Sequence, residues 1–221
     1  MKDQTAIQSY FAKRARCYEE AYSVKKTKGL RSLIYRIGWF PLRLIFTYTM
    51  EYLAGAEPQR VLDIGCGTGI YTAKLAGRGI AVTGLDSCKE MIDATENLLA
   101  QSGLSDRVQT VLADYLDWSR QIGQEYDLAL AIGVLDLVDV NDAGIYLASF
   151  RRVAQEAIVT FPSKHMFSFM AGFSYRQHGV HGYFYTQQQI QDLLREAGLE
   201  IVHFKKIFPS TYWVHARCVA I

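Results

Sequence analysis

The sequence has little of what marks most specialised protein classes. Its four cysteines, Cys17, Cys66, Cys88 and Cys218, lie far apart. No C-x-x-C pair or finger spacing occurs, so a zinc finger is excluded. Scattered cysteines suit a reduced, cytoplasmic protein in which they fill small apolar gaps. With 17 Gly and 4 Pro and no Gly period, a collagen-like repeat is excluded. No apolar run approaches the roughly 20 residues needed to span a bilayer. The leading stretch, MKDQTAIQSYFAKRARCYEE, has no apolar h-region, so no signal peptide is expected. A net charge of only +2 leaves no footprint for a dedicated nucleic-acid binder, and no nucleic-acid partner is expected.

What is present is globular: 50% hydrophobic residues and 21% charged, over a length of 221. With about 100–200 residues per domain, that is one domain with a helical appendage. From residue 60 onward short apolar runs alternate with helical stretches. The spacing predicts strands at Arg60–Ile64, Ala81–Asp86, Val108–Leu112, Tyr126–Ile132 and Ala157–Phe161, the last stopped by Pro162. Two closing strands follow, Glu200–Ile207 and Thr211–Ala220. Helices are predicted at Tyr71–Ala76, Ser87–Gln101, Asp142–Val153 and Thr186–Ala197. Two of them open on capping-box patterns, Ser87 with Glu90 and Thr186 with Gln189. Near-continuous apolar strands between helices argue an α/β fold, a parallel sheet doubly wound by helices on both faces. Residues 1–55 show no strand alternation and are rich in aromatic and basic groups. They are expected to form an N-terminal helical lid or cap, with residues 56–221 as the α/β domain.

The most informative segment is Val61-Leu62-Asp63-Ile64-Gly65-Cys66-Gly67-Thr68-Gly69, where the first strand gives way to a helix. Glycines there let the backbone turn tightly and approach a ligand. Two cofactor classes compete for such a loop. The dinucleotide pattern G-x-G-x-x-G fits at Gly65 and Gly67 but meets Ile70 at its third position. Asp63, just before the loop, repels a pyrophosphate but suits a cation such as the sulfonium and ammonium of S-adenosylmethionine. The next strand ends at Asp86, which can accept ribose hydroxyls. The third is followed by Asp114 and Tyr115. A carboxylate there can accept from an exocyclic amine such as adenine's. Each Asp alone fits a helix cap or loop acid equally well; three at successive strand ends form one acidic crevice.

VLDIGCGTG, then GLD, LADY and YDLALAIGVLDLVD resembles the class I, Rossmann-like S-adenosylmethionine-dependent methyltransferases of the bacterial small-molecule type, over about residues 55–221. The resemblance implies a seven-stranded, mostly parallel sheet whose last strand is inserted antiparallel, the role of Thr211–Ala220. It implies S-adenosylmethionine as cofactor and S-adenosylhomocysteine as product. Asp63, Gly65, Cys66 and Gly67 then face the methionine part. Asp86 holds the ribose with Ser87 and Cys88 beside the adenine, Asp114 and Tyr115 meet the adenine, and the backbone of Ile132-Gly133-Val134 faces the methionine tail.

The acceptor is less legible. An Asn/Asp-Pro-Pro-aromatic motif and a Pro-Cys nucleophile are both absent, which speaks against DNA bases. A weaker likeness, before the last helix and in the closing strands, is to porphyrin carboxylate O-methyltransferases. The expected function is methyl transfer to a small organic acceptor, at oxygen before nitrogen or carbon. Two alternatives stay open: a non-catalytic cofactor-binding partner subunit of another methyltransferase, or an enzyme for a lipid- or prenyl-type acceptor at a membrane surface. Residues 163–185 exceed an ordinary connection and hold three of the five histidines. They are expected to wall the acceptor site. His181 and Tyr183 are the leading candidates for acid/base or orienting work, then His178 and Arg176, the last able to clamp a carboxylate. Packing or surface roles fit each of these histidines equally well, and no further ligand spacing supports a metal.

Residues 1–50 carry a local charge of +7, leaving −5 for the rest. A similar Tyr/Phe-rich leader folds over the cofactor in many members of the resembled family, which implies lid roles for Tyr10, Arg14 and Tyr18. Between residues 25 and 46 basic groups alternate with large apolar ones. Such a stretch covers a sheet with its charges solvated, lies on an anionic membrane, or attracts an anionic acceptor.

Overall fold

The computed structural model describes residues 4–14, 40–56, 58–123, 125–165 and 168–219. Among the described residues, α1 (Gln4–Ala12) and α2 (Phe40–Leu53) come first. Then β1 (Arg60–Ile64), α3 (Ile70–Ala76), β2 (Ala81–Asp86), α4 (Lys89–Gln101), β3 (Val108–Leu112) and α5 (Tyr115–Ser119) alternate. They are followed by β4 (Tyr126–Ala131), α6 (Val140–Val153), β5 (Ala154–Pro162), α7 (Ser168–Gln177), α8 (Gln187–Glu196) and the hairpin β6 (Leu199–Phe208) and β7 (Thr211–Cys218).

The sheet has seven strands in the order β3-β2-β1-β4-β5-β7-β6. The first five run parallel, and β7 enters antiparallel between β5 and β6. The parallel strands are apolar on both sides because both faces are covered. Leu62, Ala129, Ala131 and Val159 meet Tyr146 and Phe150 of α6 and Ile190 and Leu194 of α8. The alternate residues Val61, Leu128, Leu130 and Ile158 meet Ile45, Met50 and Leu53 of α2 and Tyr71 and Leu75 of α3. Each such side chain, fully buried, contributes on the order of 1.5–3 kcal/mol. α2 thus shares a core with β1 and β4 across the expected boundary at residue 55. Trp213 of β7, fully buried, donates its indole N–H to Thr49 of α2 at 2.9 Å.

Three local expectations are corrected. Ser87 and Glu90 form no capping box: α4 starts at Lys89 behind Cys88, with no side-chain cap. The Cys88 amide is already taken by Asp86, and the Glu90 carboxylate instead accepts from the Cys88 thiol. The expected loop at 163–185 contains the helix α7. β5 begins at Ala154, ahead of the expected Ala157, and ends at Pro162, which pairs opposite Thr211 and stops the strand as expected. By contrast, Thr186 and Gln189 make the full capping box of α8.

The excursion carrying α7 is pinned at its base. Ser163 and Tyr185 bridge in parallel. The Tyr185 amide donates to Pro162 O at 2.8 Å, and the Lys164 amide to Tyr185 O at 2.9 Å. Among the described residues, no helix is long and apolar enough to cross a membrane.

Candidate active site

A cavity of about 890 Å³ opens at the carboxyl ends of the parallel strands. That is near the top of the roughly 300–1,000 Å³ typical of ligand sites. Asp63, Asp86 and Asp114 line it together, as do Gly65, Cys66, Gly67, Ser87, Tyr115 and Ile132.

The glycine turn is built for close approach. Gly65 and Gly67 sit at φ 64° and 57°, in the left-handed region. A Cβ at Gly65 would fall 2.8 Å from Val134 Cγ2, so the turn lies directly against the segment after β4. Asp63 is 2% exposed and accepts from the Thr72 hydroxyl at 2.5 Å. Burial pushes its carboxyl up to about 7, with the Asp86 charge adding to the shift and the Thr72 bonds opposing it. Asp86 is raised too, by burial, although its oxygens accept the amides of Gly67 at 3.0 Å and Cys88 at 2.9 Å. Buried carboxylates in this state gain most from a cationic ligand. Asp114 does two things at once: its carboxylate caps α5 by accepting the Asp117 amide at 3.2 Å, and it faces the cavity. Tyr115 is buried beside it, its hydroxyl taking a hydrogen bond from Ser149 at 3.0 Å.

Helix α1 covers this rim. Gln8 donates to Ser87 O at 2.8 Å, and Ile7, Tyr10 and Phe11 line the cavity. Arg14 lies outside the lining. It donates to the Tyr10 hydroxyl at 2.7 Å, sits 4.7 Å over that ring, and pairs with His178 at 3.3 Å. Tyr18 lies outside the described residues, as do residues 25–39 of the expected membrane-contact stretch. From the rest of that stretch, Pro41, Leu42 and Ile45 line the cavity.

Of the four acceptor-segment candidates, only Tyr183 lines the cavity. Its hydroxyl donates to Asp139. His181 is exposed, its ring tilted against Tyr183 at 4.7 Å, and His178 is exposed, edge-on to Tyr10 at 5.8 Å. Arg176 is exposed and away from the lining. Histidine content therefore did not mark the wall. The wall is made by Tyr175, Tyr183 and Phe184, with Asp136 and Asp139 from the segment after β4. Asp136 was visible in the sequence as an acid a few residues past a strand end, the same signal that marks Asp114. Its backbone oxygen accepts the Tyr183 amide at 2.9 Å and its carboxylate the Tyr175 hydroxyl at 3.3 Å. Burial pushes it up to about 6, opposed by the Tyr175 bond. Six aspartates line the cavity, and among the described residues no Lys, Arg or His does.

A family described as a methyltransferase domain matches residues 61–157. A ubiquinone biosynthesis O-methyltransferase from Thiobacillus denitrificans is 30% identical over 171 residues, covering 72% of this chain and 71% of that protein. One from Pseudomonas savastanoi pv. phaseolicola is 27% identical over 184 residues, 78% and 75% of the two chains. Among solved structures, the magnesium protoporphyrin IX methyltransferase of Synechocystis PCC 6803 with bound S-adenosylhomocysteine superposes with a TM-score of 0.77 at 17% identity. It covers 98% of this chain and 100% of that one. The 1,6-didemethyltoxoflavin-N1-methyltransferase of Burkholderia thailandensis gives 0.69 at 18%, covering 97% and 88%. With the glycine turn, the strand-end acids and these relatives pointing one way, the chain belongs to the class I methyltransferases and works with S-adenosylmethionine.

Proposed function

We propose that this methyltransferase transfers the methyl group to an oxygen of a small organic acceptor. The observation that carries the reading is the continuity of this cavity. It joins the acidic, glycine-lined crevice to an apolar and aromatic wall from α1, α2 and residues 175–184, with room for two ligands side by side. The names of the curated relatives support oxygen as the target.

The residues divide the work. Asp63 and the Gly65-Cys66-Gly67 turn hold the methionine part, backed by Ile132. Asp86 receives the ribose hydroxyls, Ser87 lies beside the adenine, and Asp114 with Tyr115 meets its amino edge. Tyr10 closes the site from α1, with Arg14 fixing its hydroxyl, so within the expected cap of residues 1–55 α1 acts as the lid of the 56–221 domain, while α2 belongs to its core. Tyr183 belongs to the acceptor wall. His178 acts through Arg14 on the lid, and His181 braces Tyr183. Bound S-adenosylmethionine supplies a methyl group already activated on a sulfonium. Orientation and exclusion of water then count for most: good alignment is worth roughly 7–11 kcal/mol.

Calorimetry with S-adenosylmethionine and S-adenosylhomocysteine tests the cofactor half. Methyl transfer from labelled S-adenosylmethionine to phenols, carboxylic acids and amines tests the acceptor half. Saturable cofactor binding and an O-methylated product are expected; label appearing only on nitrogen would overturn the oxygen assignment.

A further inference from the structure

The cavity contains three carboxylates that the cofactor crevice does not use, Asp136, Asp139 and Asp142, and the first of them lies nearest in sequence to the end of β4. Asp136 sits in the turn just after β4, two residues beyond Val134, which itself packs on Gly65. It is therefore next to the place where the methionine part lies, and on the acceptor side of it. Its side chain is partly accessible and faces the cavity. Resting on the O-methylation reading above, we propose that Asp136 receives the hydroxyl of a neutral phenol- or enol-type acceptor and takes its proton as the methyl is transferred.

Three features carry this. First, the carboxylate is aimed by contacts from two sides. The Tyr175 hydroxyl donates to it at 3.3 Å, and its own backbone oxygen is tied to the Tyr183 amide. Gly182 leaves the space for the Tyr175 ring: a Cβ there would lie 2.2 Å from Tyr175 Cδ2. Secondly, the groups facing Asp136 are hydroxyls and acids. Tyr175 comes from α7, Tyr10 from α1, and Tyr183, Tyr185 and Asp139 flank it, while Arg14 is engaged by Tyr10 and His178. Thirdly, the described lining holds six aspartates, so an acceptor carboxylate or phosphate would enter it against like charge. A neutral hydroxyl meets no such penalty, and needs a base. A carboxylate held near 6 is ionised at neutral pH and still basic enough to serve.

The step balances. The acceptor O–H bond breaks towards an Asp136 oxygen, the O–CH₃ bond forms as the S–CH₃ bond breaks, and that bond's electron pair stays on sulfur. The Asp136 proton then passes to solvent as the lid opens.

The test uses the full chain with 4-nitrocatechol as probe. In the wild type saturated with S-adenosylhomocysteine, the absorbance of the bound probe gives its apparent pKa, which an adjacent carboxylate raises. Asp136→Asn, equal in shape, should leave S-adenosylhomocysteine affinity unchanged and lower that pKa. With S-adenosylmethionine it should cut kcat/KM for the probe by about 10²–10⁴-fold. Tyr175→Phe removes a donor to the carboxylate, so the acidic limb of the pH–kcat/KM profile should move to higher pH. Loss of cofactor binding in the wild type would sink the methyltransferase reading itself. Normal cofactor binding with no binding of the probe, methylation of benzoate in preference to it, or an unchanged probe pKa and rate in Asp136→Asn, would overturn this proposal alone.

Discussion

The Gly67 amide and the Asp86 carboxylate are joined at 3.0 Å, tying the glycine turn after β1 to the end of β2. The second carboxylate oxygen holds the Cys88 amide at 2.9 Å, so Asp86 is fixed before any ligand arrives. Asp86→Ala should therefore lose both the ribose partner and the shape of the turn. Cofactor affinity should fall by about 1.5–3 kcal/mol, as for hydrogen bonds to a charged group. A calorimetric titration indistinguishable from wild type would remove Asp86 from the cofactor site.

Asp63 makes binding pH-dependent. Burial lifts its carboxyl from 3.8 to about 7, so without cofactor the folded protein keeps a proton there that the unfolded chain gives up. Between about pH 4 and 7 the folded state binds more protons, and Asp63 therefore lowers stability as pH rises through that window. A cationic ligand favours the charged form, so cofactor affinity should rise with pH and level off above about 7, with a proton released on binding below that. Calorimetry in two buffers of different ionisation enthalpy counts that proton. Asp63→Asn should flatten both profiles, and a flat wild-type profile would show that the group is ionised throughout.

Arg14 ties Tyr10 to His178 without lining the cavity. Arg14→Ala removes the bond to Tyr10 and the pairing with His178. A loss of about 0.5–1.5 kcal/mol is expected, read as faster dissociation of S-adenosylhomocysteine in stopped-flow and faster proteolysis near residue 14. Unfolding by heat should barely change, since α1 contributes no residue but Tyr10 to the buried apolar set.

Gly182→Ala drives a methyl group into the Tyr175 ring. Overpacking of this kind costs about 1–3 kcal/mol, and at this chain length each kcal/mol lowers Tm by about 2–4 °C. Acceptor turnover should fall further than cofactor affinity, because α7 moves and the glycine turn does not. Equal losses in both would place Tyr175 with the cofactor.

The cofactor half of the site was legible because its chemistry is local. Asp63, Asp86 and Asp114 each follow an apolar run, and strand ends in a parallel sheet converge on one edge. Thr186 and Gln189 cap α8 as their spacing predicts, whereas Ser87 and Glu90 do not: Asp86 accepts from the amides of Ser87 and Cys88, and the helix starts at Lys89. The acceptor half was not legible. Which face of residues 163–185 points inward depends on the docking of α7 against α1, a contact between residues more than 160 apart in sequence. Tyr183 faces in while His178 and His181 face out, and nothing in the residue types separates them. That the stretch ending in α2 could cover a sheet was readable from its apolar residues, but its particular partners Trp213 and His215 were not, since they lie far along the chain.

The parallel bridge between Ser163 and Tyr185 closes the excursion bearing α7 into a loop whose two feet stand side by side on the sheet. Lengthening the chain between those feet costs the scaffold little, since loop-closure entropy grows slowly with length. Descendants of this chain can therefore exchange or reshape the acceptor wall wholesale while inheriting the cofactor crevice intact, and substrate range can diverge without the fold being rebuilt.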